Sequence, residues 1–163
     1  MSKRIEKLLK DYPQMVQERN CLAHQLAHFR GVSAEEIIES MYTPRQDGER
    51  VQTSTISDKT AQIAMEYRNR MERLNREWYR QLEKELYAVN DEVIFLESAL
   101  DSLSGRLPDI MRDLVVNRLS WNEIAEKYYV SRSMIAKYRK KAIDELDVLY
   151  RKRDANTTRF ILS

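Results

Sequence analysis

The stretch Leu119–Leu146, LSWNEIAEKYYVSRSMIAKYRKKAIDEL, decides how the chain is read. Ser120 and Ser131 each stand immediately before an apolar-periodic segment, and Glu123 follows Ser120 by three residues. In that arrangement a hydroxyl and a carboxylate each satisfy an N–H group that the first turn of a helix leaves free. The spacing predicts a first helix from Trp121 to about Tyr128 that buries Ile124, Ala125 and Tyr128. It predicts a second from Arg132 onward that buries Ile135, Tyr138, Ala142 and Leu146. Tyr129 and Val130 leave room only for a tight turn, with Val130 as an apolar plug and Ala125 small where the helices cross.

The second helix turns a different set of residues away from its buried stripe: Arg132, Ser133, Ala136, Lys137, Lys140 and Lys141, with Met134 and Arg139 on the flanks. This face is small, polar and cationic, and it begins at a helix start whose free N–H groups and dipole suit a phosphate. Arg132 has the planar fork that pairs with guanine, whereas Lys137, Arg139, Lys140 and Lys141 suit phosphates, which fix register without reading sequence. A basic run alone is usually a solvated helix face. Here it coincides with a capped helix pair and its apolar pattern, so the stretch reads as a helix-turn-helix. The candidate DNA-binding residues are Ser131, Arg132, Ser133, Met134, Ala136, Lys137, Arg139, Lys140 and Lys141.

With those residues in view, Leu107–Leu146 resembles region four of sigma-70-type factors, in the form found in small phage transcriptional regulators of the ArpU and RinA kind. The matching pieces are LPDIMRDLVVN, LSWNEIAEKY and VSRSMIAKYRKKAIDEL, and the likeness extends upstream through ERVQTSTISDKTAQIAMEYRNRMERLN. The resemblance implies that Arg132, Ser133, Ala136 and Lys137 face bases, and it implies contact with RNA polymerase, to which no residue is assigned. One position departs from the pattern, since Tyr129 stands where the turn usually has Gly. A left-handed backbone there strains a non-Gly residue, so a turn of another type or a different helix crossing is expected.

The whole chain has 163 residues, 42% apolar and 33% charged, with three glycines and three prolines, which suits an all-α protein. Its net charge of +2 is unevenly placed. Residues 106–153 hold 12 Lys and Arg against 7 Asp and Glu, while residues 1–105 hold 15 against 18. That asymmetry favours nucleic acid at the C-terminal end. A single cysteine, Cys21, excludes an intramolecular disulfide, and no segment approaches the length of a membrane span. MSKRIEKLLKDYPQ lacks the apolar core and cleavage site of a leader, so the expected location is the bacterial host cytoplasm, associated with the nucleoid.

From Ser2 to about Phe29, apolar residues from Ile5 to Leu26 recur at spacings of three and four, an amphipathic helix in which Pro13 predicts either a kink or a fresh helix start. Cys21, His24 and His28 share a face, but one helix offers too few ligands for a closed zinc site, and HQLAH has Gln25 where a protease needs Glu. No metal or cofactor is expected. Gly31 stops this helix, Ser33 with Glu36 starts a short one to about Met41, and Thr43–Ser57 reads as a linker.

Ser57 caps the longest element, expected from Asp58 to Leu103 with Gly105 as its stop. Its stripe runs through Ile63, Tyr67, Met71, Leu74, Trp78 and Leu82, and from Leu82 to Leu103 the steps alternate four and three as in a coiled-coil seam. The seam either pairs with a second subunit or folds against the N-terminal helix of its own chain; both together are compatible, and a homodimer is favoured. The tail beyond residue 153 ends in Phe160, Ile161 and Leu162, apolar residues suited to docking.

The expected organisation is a helical segment over 1–42, a linker over 43–57, a long dimerising helix over 58–104, a helix-turn-helix domain over 105–153 and a tail over 154–163. No nucleophile elbow, phosphate loop or paired buried carboxylates point to an enzyme. The function expected is sequence-specific binding of double-stranded DNA by a transcriptional regulator, a phage or prophage late-gene activator. The rivals are a small terminase subunit for DNA packaging and a helical interaction protein.

Overall fold

In the computed structural model of the chain, residues 2–32 and 56–163 are described, with side chains of the long second helix described from residue 62 onward. The described residues are all-α: α1 covers Lys3–Ala27, α2 Ile56–Asp101, α3 Leu107–Val115, α4 Trp121–Tyr128 and α5 Arg132–Leu162. None of these helices is long and apolar enough to cross a membrane. The expected short helix from Ser33 and the linker through Thr55 lie outside the described residues.

Of the two readings of Pro13, the fresh helix start falls, since Pro13 lies inside α1. The ring removes one backbone donor, yet Ile5, Leu9 and Tyr12 before it and Met15 and Val16 after it pack into the same core. Three boundaries differ from those read in the sequence. Helix α2 starts at Ile56 and ends at Asp101, two residues earlier at each end than expected. Gly105, in the left-handed region at φ 58°, then turns the chain into α3. The third difference is larger: α5 does not stop near residue 153 but runs on to Leu162, 31 residues in all. The tail is helical because nothing in DANTTRFIL breaks a helix, even though Phe160, Ile161 and Leu162 dock on nothing among the described residues and are more than 70% exposed.

The chain divides into two compact units. The first joins Met1–Asn20 to Ala88–Ser163, and so brings the start of α1 together with the end of α2 and all of α3, α4 and α5. Its main core takes Ile5, Leu9 and Tyr12 from α1, Val93, Leu96 and Leu100 from α2, Met111 from α3, and Ile143, Leu146 and Tyr150 from α5. The seam from Val93 to Leu103 is therefore covered by its own chain. Polar ties reinforce the layers: Tyr12 donates to Glu97 at 2.5 Å, Arg4 pairs with Asp154, and Glu145 accepts from the Ser104 N–H and hydroxyl. Arg153 lies over the rings of Phe95 and Tyr150 while pairing with Glu92 at 3.0 Å.

A second, smaller core in this unit is made of three isoleucines, Ile110 of α3, Ile124 of α4 and Ile135 of α5, all fully buried. Leu114, Leu119, Ala125, Tyr128, Val130 and Tyr138 pack around them. One isoleucine from each of three helices fixes the helices' mutual angles, because a close-packed interior does not deform smoothly.

The second unit, Cys21–Tyr87, is held more lightly. Among its described residues Leu22 and Leu82 are the buried apolar ones, and Phe29 meets Trp78 and Tyr79 edge-on, with ring centres 5.3 Å apart in both pairs. The Asn75 carboxamide accepts the Val32 N–H at 2.6 Å and crosses so close over Gly31 that a Cβ there would lie 2.7 Å from it. Gly31 also adopts φ 75°, so both space and backbone demand glycine.

Candidate nucleic-acid interface

Each end of the α4–α5 connection is secured by the residues that mark it in the sequence. The Ser120 hydroxyl accepts the Glu123 N–H at 3.2 Å, and the Glu123 carboxylate accepts the Ser120 N–H at 2.7 Å, completing the capping box. At the start of α5 the Ser131 hydroxyl accepts the Met134 N–H at 3.3 Å and lies 2.9 Å from the Ser133 hydroxyl. Both caps satisfy donors that a helix start otherwise leaves to water.

The turn between them corrects an expectation. Tyr129 does adopt the left-handed conformation, at φ 55° and ψ 45°, rather than avoiding it with another turn type. The N–H groups of Tyr129 and Val130 both reach the Ala125 carbonyl, the latter at 3.1 Å, and Val130 packs onto the isoleucine core. That pairing of a left-handed residue with an apolar contact behind it is a recurrent way to end a helix. The hydrogen bonds and the Val130 contact outweigh the strain on Tyr129, a residue 95% exposed. Because a left-handed non-Gly residue costs roughly 1–2 kcal/mol and glycine's extra freedom returns part of that, Tyr129→Gly should stabilise the fold by about 1 kcal/mol. Thermal melting should show a rise of several degrees; an unchanged or lower midpoint would contradict the strain.

Beneath the pair lies Asp113 of α3, the one buried charged residue among the described residues. Its carboxylate accepts from Lys127 at 2.7 Å, Asn117 at 2.8 Å and the Tyr128 hydroxyl at 2.5 Å, which staples α3 to the last turn of α4. Burial pushes the Asp113 carboxyl up, but the bonds from Lys127, Tyr128 and Asn117 and the Lys127 charge outweigh it and hold its pKa below the ordinary 3.8. The bond to Asp113 in turn raises the Lys127 ammonium.

On this platform the outward residues of α5 fall where the periodicity places them. Ser131, Arg132, Ser133, Ala136, Lys137, Lys140 and Lys141 are exposed, and Met134 and Arg139 are half-buried. Arg139 does not simply extend the outer face. It lies 3.9 Å from Glu6 of α1 and lines a groove of about 640 Å³ together with Lys3, Lys7 and Lys10 of α1 and Arg118, which follows α3. Met111, Leu114 and Val115 line it too, and so does Trp121, 36% exposed.

These α1 lysines were not singled out in the sequence. Their spacing of four and three puts them on one helix face, a signal that was legible, but its closeness to α5 depends on a fold that joins residues more than a hundred positions apart.

Cys21, His24 and His28 are all exposed, with the two imidazole centres 4.5 Å apart. Comparison of the chain with family models, curated proteins and solved structures finds no match in any of the three.

Proposed function

We propose that the chain is a sequence-specific DNA-binding transcriptional regulator that lays the start of α5 in the major groove with α4 across the backbone. The observation that supports this most directly is the Ser131-capped start of α5, which exposes Arg132, Ser133, Ala136, Lys137 and Lys140 on a rigidly braced helix. Small side chains at Ser133 and Ala136 allow close approach to base edges, Arg132 supplies a two-pronged donor for guanine, and the lysines supply phosphate contacts.

Two copies acting on paired half-sites belong to the same reading, since one short recognition helix rarely gives enough specific affinity. The exposed Phe160, Ile161 and Leu162 at the end of α5 offer apolar surface to a second copy. The phage or prophage late-gene setting and a contact with RNA polymerase come from the resemblance of Leu107–Leu146 to sigma region four. A host cytoplasmic, nucleoid-associated location follows from the same proposal.

The test separates base reading from phosphate holding. Duplexes selected from genomic fragments in excess competitor should be retained by the full chain. Arg132→Ala should then lose discrimination worth about 1–3 kcal/mol at one base position, while Lys140→Ala should weaken all duplexes alike and reduce the salt slope by about 1. If the full chain retains no fragment selectively, or both variants bind as the parent does, the assignment of α5 as the reading helix fails.

A further inference from the structure

The groove between α1 and α5 carries five cations, Lys3, Lys7, Lys10, Arg118 and Arg139, against one carboxylate, Glu6. The three lysines and Arg118 are exposed, and no ion pair among the described residues neutralises them. Arg139 has the 3.9 Å contact with Glu6, so the groove's single acid is engaged by one of its five bases. From Lys3 to Lys10 the helix rises on the order of 10 Å, about three base-pair steps of a duplex. Arg139 belongs to α5 and lies one helical heptad beyond Arg132, which makes this charge continuous with the proposed reading face.

We infer that this groove is a second phosphate-binding surface, on which the Lys3, Lys7 and Lys10 face of α1, with Arg118 and Arg139, grips the DNA backbone beside the segment that α5 reads. The inference rests on the DNA-binding reading of α5 and adds a strand of the same duplex as the occupant of the groove. The choice of DNA over an acidic protein segment comes from that continuity of charge with α5. Glu6 has a defined role here: it holds Arg139 in the absence of DNA and weakens binding by its own charge.

The experiment is a salt titration of full-chain binding to a mixed-sequence duplex of about 30 base pairs, three helical turns long. It compares the parent, Lys3→Gln/Lys7→Gln/Lys10→Gln, Glu6→Gln and Lys140→Ala. Each phosphate contact contributes a slope of about 0.9, so the triple variant should flatten the slope by roughly 2 to 3 and lose on the order of a hundredfold in affinity at 0.1 M salt. Glu6→Gln should bind several-fold more tightly, a gain that a merely structural role for Glu6 would not produce. Glutamine and lysine have similar helix propensities and the three side chains are exposed, so the urea midpoint of the triple variant should stay at the parent's.

If the triple variant keeps the parent's slope while Lys140→Ala lowers it, the groove does not touch DNA and the reading of α5 stands. If the parent binds no duplex, that reading falls and the inference with it. If the triple variant keeps its DNA binding but loses binding to poly-glutamate, the groove belongs to an acidic peptide and the inference is overturned.

Discussion

Ile135→Ala should unfold with about 2–5 kcal/mol less stability than the parent, and its grip on DNA should fall with it. Ile135 is fully buried against Ile110 and Ile124, so truncation removes contacts from α3 and α4 together. The pocket it leaves is walled by helices that are braced elsewhere: α5 by Ala142, Ile143 and Leu146 in the main core, and α3 by Met111 and Val115. Those anchors limit how far the helices can close the gap, which places the cost toward the upper half of the range. Urea unfolding is the measurement, with a lowered midpoint and an unchanged slope marking a true stability loss. Val148→Ala is the control. Val148, also on α5, is 52% exposed, and its truncation should stay within about 0.5 kcal/mol. Equal effects from the two variants would mean that the isoleucine triplet is not a core.

The second large effect belongs to Asp113. Asp113→Asn keeps the shape but puts an amide where Lys127, Tyr128 and Asn117 all donate. With its carbonyl oxygen toward Lys127 and Tyr128, which share one carboxylate oxygen in the parent, its NH2 group faces the NH2 of Asn117, from which it cannot accept. Removing one partner of a deeply buried ion pair costs roughly 3–5 kcal/mol, but Lys127 is 53% exposed and water can take up its charge. The expected loss is therefore smaller, about 2 kcal/mol, most of it from the stranded donors.

The acid dependence carries a definite sign. The folded pKa of Asp113 lies below its ordinary value of 3.8, so folding favours the ionised form. Its contribution is complete above the ordinary value and is lost as pH falls through the lower, folded one. The stability gap between parent and Asp113→Asn should therefore be constant near neutrality and narrow at acid pH. Glu145 and Asp154 are also held below their ordinary values, the first by the Ser104 hydroxyl and N–H, the second by Arg4 and Arg153. They are present in both proteins and drop out of the difference. A gap that persists undiminished to pH 2 would show that the carboxylate charge is not the source.

The parts of this molecule legible in the sequence are those that local chemistry specifies. Ser120, Glu123 and Ser131 mark two helix starts because a hydroxyl or carboxylate at those offsets has a free N–H to satisfy. Ile124, Ile135, Ala142 and Leu146 mark the buried stripe because the helical period is fixed. The same rules misjudge Tyr129, where a local penalty is outweighed by Val130 on a core built from three separate helices. They also end α5 too soon, since a helix that continues into solvent leaves no apolar rhythm to follow. The groove beside α5 is a tertiary object: neither the α1 lysines nor Arg118 announces it alone.

The first compact unit is made from Met1–Asn20 and Ala88–Ser163, two stretches separated in sequence by Cys21–Tyr87. The core that Ile5, Leu9 and Tyr12 enter is therefore incomplete until Ile143, Leu146 and Tyr150 have been made. At about 5–20 residues per second, the ribosome needs on the order of 6 to 26 seconds to add the 130 residues from 20 to 150. For that interval the apolar face of α1 lacks its α5 partners, and the lysine face on its other side is the kind of charge that keeps such a segment from aggregating. Helix α1 is thus made well before α5, yet is not fully placed until α5 has been made.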